Sequence, residues 1–103
     1  MHHHRLSQSA PLVLDYDLVD NVLYARWTAV QTLATTRAGY EQILAELPAL
    51  HCLRLLDDCR ESHLMWDELT DWIATDWYLR AHRAGLRHHA VVFAQDFFER
   101  RAT

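Results

Sequence analysis

The chain contains no lysine: all ten of its cationic side chains are arginine, and they face fourteen carboxylates for a formal charge of −4. This acidic balance argues against general binding to nucleic acid or to anionic membrane surfaces, both of which draw on excess Lys and Arg. Glycine and proline are scarce, two of each in 103 residues, which excludes collagenous, linker-like and low-complexity chains. Cys52 and Cys59 are too few for a disulfide scaffold. With no secretory segment ahead of them, they read as two buried thiols in a reducing, cytoplasmic compartment. The longest apolar runs, such as Ala90 to Ala94, are short against the roughly 20 residues of a bilayer-spanning helix, so no membrane insertion is expected. Gly39 and Gly85 stand alone, without the spacing of a phosphate-cradling loop. There is no His-Glu-x-x-His, no Cys-x-x-Cys and no nucleophile elbow. No catalytic residue, metal or cofactor is therefore expected.

Half of the residues are hydrophobic. A chain of this length buries roughly two-thirds of the surface it exposes when unfolded, enough for a core without a structural staple. Residues 1–10, with His2, His3 and His4, read as a flexible leader, and residues 11–103 as one domain. From Leu12 the pattern has period two, with Leu12, Leu14, Tyr16 and Leu18 on one face and Val13, Asp15 and Asp17 on the other. Turn chemistry at Asp20-Asn21 leads into a second alternating run, Leu23 to Ala29, which predicts an antiparallel hairpin. Tyr40, Ile43, Leu44 and Leu47 recur at helical spacing, with Thr35 or Thr36 as the cap and Pro48 as the stop. Cys52 to Leu56 predicts a buried strand ending in Asp57-Asp58.

Trp66, Leu69, Trp72, Ile73 and Trp77 step by three and four, predicting a long amphipathic helix that ends at Gly85. Its acids, Asp67, Glu68 and Asp71, come early and its cations, Arg80, His82 and Arg83, come late, an order that favours the helix dipole. Ala90 to Ala94 predicts a last strand, and Asp96 to Arg101 could start a last helix. The order β-β-α-β-α-β-α makes one α/β domain with a mixed sheet of about four strands. If the strands lie in sequence order with right-handed crossovers, every helix falls on one face. Tyr24, Arg26 and Thr28 then stand on the other face, as a solvated surface or an interface.

The stretches Leu23-Tyr-Ala-Arg-Trp27, Leu55-Leu-Asp-Asp-Cys-Arg60, Asp71-Trp-Ile-Ala-Thr-Asp-Trp77 and Ala84-Gly-Leu-Arg87 running into His89-Ala-Val-Val-Phe93 resemble the STAS/SEC14, or SpoIIAA-like, domains of small bacterial proteins. The likeness covers residues 12 to 98. It implies a right-handed βα superhelix with helices on one face of the sheet, and a non-enzymatic regulatory or partner-binding role. In the sporulation branch of that family a phosphorylatable Ser sits between a strand and the next helix. Here the corresponding loop is Asp58-Cys59-Arg60-Glu61-Ser62-His63, and Ser62 is a counterpart by position alone. The chain also stops at Thr103, about one βα unit short of the likeness.

Asp57, Asp58, Arg60, Ser62 and His63 make the candidate functional loop. Asp57 and Asp58 are strand neighbours whose side chains point to opposite faces, so they do not act as a paired acid and base, and backbone capping is the simpler role. Cys59, His63 and Asp67 invite a nucleophile-base story, but the surrounding acids give the wrong field for a reactive thiol. His88 and His89 also face opposite ways, against joint metal ligation. The acid-free segment Arg80, His82, Arg83, Arg87, His88 and His89 could hold an anion, although a helix C-terminus disfavours one. Trp27, Trp66, Trp72 and Trp77 are core or pocket aromatics, with Asp76 as a plausible acceptor for an indole N–H. Two functions are expected from this reading. One is an interaction module, homodimeric or with a protein partner, and the other is a small apolar-ligand or lipid binder with a pocket between sheet and helices.

Overall fold

The alternation from Leu12 onward becomes strand β2 (Leu12–Asp17), and the run after the turn becomes β3 (Val22–Thr28), paired antiparallel with it. The turn between them is held by Asp17, whose Oδ1 accepts from the backbone N–H of Val19 at 2.9 Å and of Asp20 at 3.1 Å, the short acidic side chain mimicking a backbone turn. Asn21 takes φ 55°, a conformation that asparagine tolerates better than most residues. Its side chain accepts from the Tyr16 hydroxyl at 2.7 Å. Leu18, expected on the core face, falls in this turn and is 56% exposed.

The computed structural model describes residues 3–9, 12–28, 32–61 and 66–93, and the side chains of all of these except 3, 4, 6–9, 66 and 67. The expected leader is a correction: His3–Ser9 forms strand β1, antiparallel to β2, so the sheet has five strands rather than four. Helix α1 (Leu33–Leu50) begins one turn earlier than expected. Thr32 is its N-cap, with Thr35 completing a reciprocal capping box, and Thr36 is buried. Pro48 does not stop the helix. It sits in the last turn, and His51 at φ 50° ends it, with the Cys52 N–H reaching back to Leu47 O at 3.3 Å. That left-handed terminus satisfies carbonyls the helix would otherwise orphan.

Strand β4 (Arg54–Glu61) runs parallel to β3 and extends beyond the expected end, so Asp57, Asp58 and Arg60 lie within the strand and not in a loop after it. Strand β5 (His88–Val92) pairs parallel to β4 and starts two residues earlier than expected. The sheet order is β1-β2-β3-β4-β5. Residues 94–103, where a last helix is expected, and residues 29–31, which include Ala29, lie outside the described residues.

Between β4 and β5 the chain is helical but not uniformly so: α2 (Trp66–Trp72), a π turn (Ile73–Trp77) and α3 (Tyr78–Arg83) follow without a break. The buried residues Leu69, Ile73, Trp77 and Ala81 repeat every four positions. In an α-helix of 3.6 residues per turn such a stripe drifts by about 40° per step. One wider turn cancels part of that drift and keeps all four on the sheet. Gly85, at φ 114°, then reverses the chain into β5.

The core joins Leu12, Leu14, Leu23, Ala25, Trp27 and Leu55 on one face of the sheet to Tyr40, Ile43, Leu47, Leu69, Ile73 and Trp77 of the helices. Among the described residues both helical crossovers pack on that face. Gly39 is buried where α1 crosses β3, and a Cβ there would collide with the Trp27 ring. Gly39→Ala is therefore expected to lower stability, because overpacking costs about 1–3 kcal/mol against the roughly 1 kcal/mol gained in helix propensity. A urea melt showing equal or greater stability would contradict the close approach.

Candidate functional site

The period of β3 places Leu23, Ala25 and Trp27 inward and Tyr24, Arg26 and Thr28 on the face away from the helices. Register extends that outer face across the sheet. Tyr24 lies beside Asp15 and Leu56, with Ala90 next in line, and Arg26 lies beside Val13 and Asp58, with Val92 beyond. Ion pairs border these apolar groups. Arg26 meets Glu61 at 3.2 Å, Arg60 grips Asp58 through two nitrogens at 2.9 and 3.0 Å, and Arg5 of β1 meets Asp15. The Arg60 guanidinium holds the Asp58 carboxyl below its usual value. Pairs this exposed add at most about 1 kcal/mol each, so their role is to present charge, not to hold the fold. An open concavity of about 520 Å³ lies at one end, between Tyr24, Arg54, Leu56, His88 and Ala90.

Of the expected loop, Asp58 and Arg60 join this face, and Ser62 and His63 lie outside the described residues. Asp57 goes the other way. It is fully buried, and among the described residues its partners are side chains: it is the acceptor at the centre of a network. The Trp27 indole donates to its Oδ1 at 2.5 Å, and the Tyr40 hydroxyl and His89 Nε2, the latter at 3.1 Å, reach its Oδ2. A carboxylate only accepts, so a neutral imidazole here carries its proton on Nε2 and has Nδ1 as an acceptor. That nitrogen lies 2.7 Å from the Tyr78 hydroxyl. Tyr40 and Tyr78 are absent from the candidate site residues, and His89 enters them only as a weighed metal ligand and as part of the acid-free segment. Their signal was an acid in the middle of an apolar strand, since a buried charge must find donors.

Burial first, and then the Asp57 charge, hold the Tyr40 phenol well above its ordinary value of 10.0. Its neutral form is thus favoured by folding. That contribution is full below about pH 10, where the unfolded chain is also neutral, and is lost as pH rises further. In an alkaline titration, Tyr40 is expected to ionise only in the step that abolishes the helical circular dichroism. Ionisation of all four tyrosines before unfolding would contradict this.

The Trp residues divide. Trp27 and Trp77 are fully buried against Tyr40, with ring centroids at 5.2 and 5.1 Å, and pack in the core between sheet and helices. The Trp77 indole donates to Tyr40 O at 2.9 Å. Asp76, expected as an indole acceptor, instead pairs with Arg80 at 2.7 Å, because the π turn aims it at solvent beside the next cation. Trp72 is half-buried under the guanidinium groups of Arg37 and Arg80. The Trp66 side chain lies outside the described ones.

Cys52 and Cys59 are free and buried, and burial pushes both thiols up, with Asp57 and Asp58 adding to the effect at Cys59. Such thiols are inert. Among the described residues no cluster of three or more His, Cys, Asp or Glu could hold a metal ion, and no helix is long and apolar enough to cross a membrane. No family model, curated protein or solved structure matches this chain.

Proposed function

We propose that the chain is a non-enzymatic, cytoplasmic interaction module of the STAS/SEC14 kind, a SpoIIAA-like superhelix that pairs with a second copy of itself through the outer face of its sheet. The observation that carries this reading is the makeup of that face. Tyr24, Leu56, Ala90 and Val92 form an apolar strip, while Arg5, Arg26 and Arg60 alternate with Asp15, Asp58 and Glu61. A surface with equal numbers of both signs is complementary to its own two-fold image, whereas a strongly acidic or basic partner would meet repulsion on half of it. The element order and the four stretches of likeness support the family part of the reading. The packing of Trp27 and Trp77 against Tyr40 between sheet and helices favours it over the alternative, an apolar ligand held there.

Sedimentation velocity at micromolar concentration tests it. The wild-type chain should sediment as a dimer. Arg26→Glu, which sets a carboxylate against Asp58 and Glu61, should sediment as a folded monomer. A wild-type monomer, or a variant dimer of unchanged affinity, overturns the proposal.

A further inference from the structure

Away from that face, one polar chain runs from the core to the surface. Asp57 is fully buried, the His89 side chain is 7% exposed, and Tyr78 is 41% exposed. The imidazole occupies a strand position in register with Leu55, walled by the rings of Trp77 and Tyr78 at centroid distances of 6.0 and 5.5 Å. Donation to the buried Asp57 carboxylate accounts for one ring nitrogen of this histidine, and the other faces Tyr78. Asp57 fixes the tautomer of the neutral ring, and the other ring nitrogen lies 2.7 Å from the hydroxyl of the partly exposed Tyr78, the order of groups that turns a hydroxyl into a nucleophile. The π turn ends at Trp77, so the same wide turn that buries the tryptophan sets Tyr78 over His89.

Tyr78 also lines a concavity of about 240 Å³, together with His82, Leu86, Arg87, His88 and His89. The Arg87 guanidinium is held there by the carbonyls of His82 and Leu86, each at 2.9 Å. Among the described residues no carboxylate lines this hollow.

We propose that Tyr78 is a base-assisted nucleophile that accepts an acyl group from a small anionic acyl donor seated beside Arg87. The phenol oxygen bonds to the acyl carbon, the bond from that carbon to the leaving group breaks, and the leaving group departs with its electron pair. The phenol proton passes to His89 Nδ1, whose new positive charge faces Asp57, and is returned to the leaving group. The product is a tyrosine ester on α3.

An aryl sulfonyl fluoride is a stable surrogate for the donor, since the oxygen displaces fluoride from sulfur in the same manner. The intact protein would be treated with a carboxyphenyl sulfonyl fluoride and, separately, with its aminoethylphenyl counterpart, and the adducts mapped by peptide mass spectrometry. Tyr78 should react about 100-fold faster in the folded protein than in the urea-unfolded chain, the range of general-base assistance. A tyrosine that is merely half-buried and held neutral reacts more slowly folded than unfolded, so a slower folded rate overturns the proposal. The anionic reagent should outpace the cationic one, and Arg87→Ala should remove that preference. Equal rates for the two reagents overturn the anion assignment. His89→Gln, if it folds, should abolish the acceleration. If it does not, the folded-to-unfolded ratio for the wild type decides alone.

Discussion

Replacing Asp57 by alanine is expected to lower the stability of the fold by about 3–5 kcal/mol, the usual cost of removing one member of a buried charged cluster. The loss is not that of one contact. Without the carboxylate, the Trp27 indole N–H, the Tyr40 hydroxyl and His89 Nε2 stay buried with no acceptor, and each unsatisfied group costs about 1–3 kcal/mol. Set against the 5–15 kcal/mol typical of a small domain, that is a large share of the total stability. With a urea dependence of about 1–3 kcal/mol/M, the midpoint should fall by roughly 2 M. Asp57→Asn keeps one acceptor oxygen and turns a second donor toward the cluster, so it should fall between wild type and alanine. Asp58→Ala, one residue along on the exposed face, should cost under about 1 kcal/mol because its partner Arg60 is solvated. A cost at Asp57 no larger than at Asp58 would mean that the network does not hold the sheet to its helices.

The second large effect is expected at Trp27. Trp27→Ala removes a fully buried ring and should cost about 3–5 kcal/mol through the cavity it leaves. Trp72→Ala, at a half-buried ring, should cost clearly less. The cavity has a signature of its own. A methyl group at Gly39 points into the space the ring occupied, so Gly39→Ala should change from destabilising in the wild type to neutral or stabilising in the Trp27→Ala background. A double-mutant cycle in urea measures that coupling directly. Additive effects would show that the two positions do not share the space.

Local pattern was a good guide wherever one strand or one helix decides the outcome. The two-residue period of Leu23 to Thr28 correctly separates buried Ala25 and Trp27 from exposed Arg26, and the neighbours Asp57 and Asp58 do face opposite ways. Boundaries were less legible. The capping of α1 moved to Thr32, because Thr35 serves as the second half of a capping box and not as the cap itself. Acids at Asp57-Asp58 look like the end of a strand, yet β4 continues to Glu61, since one acid has donors waiting in the core and the other an arginine on the surface. Residues 3–9 carry no apolar alternation, and their strand exists because β2 offers it an edge.

By itself, then, the amino-acid order determined an α/β chain with an antiparallel hairpin, parallel strands reached through helices, and two unlike sheet faces. These follow from side-chain periodicity and turn chemistry, which act over a few residues. Only the tertiary structure decided what Asp57 does. Its donors lie 30, 17 and 32 positions away in the chain, at Trp27, Tyr40 and His89, and no local period couples residues that far apart. The order β3-β4-β5 brings Trp27 and His89 to either side of Asp57 and α1 lays Tyr40 across them, and a charge removed from water stays buried only where donors converge on it.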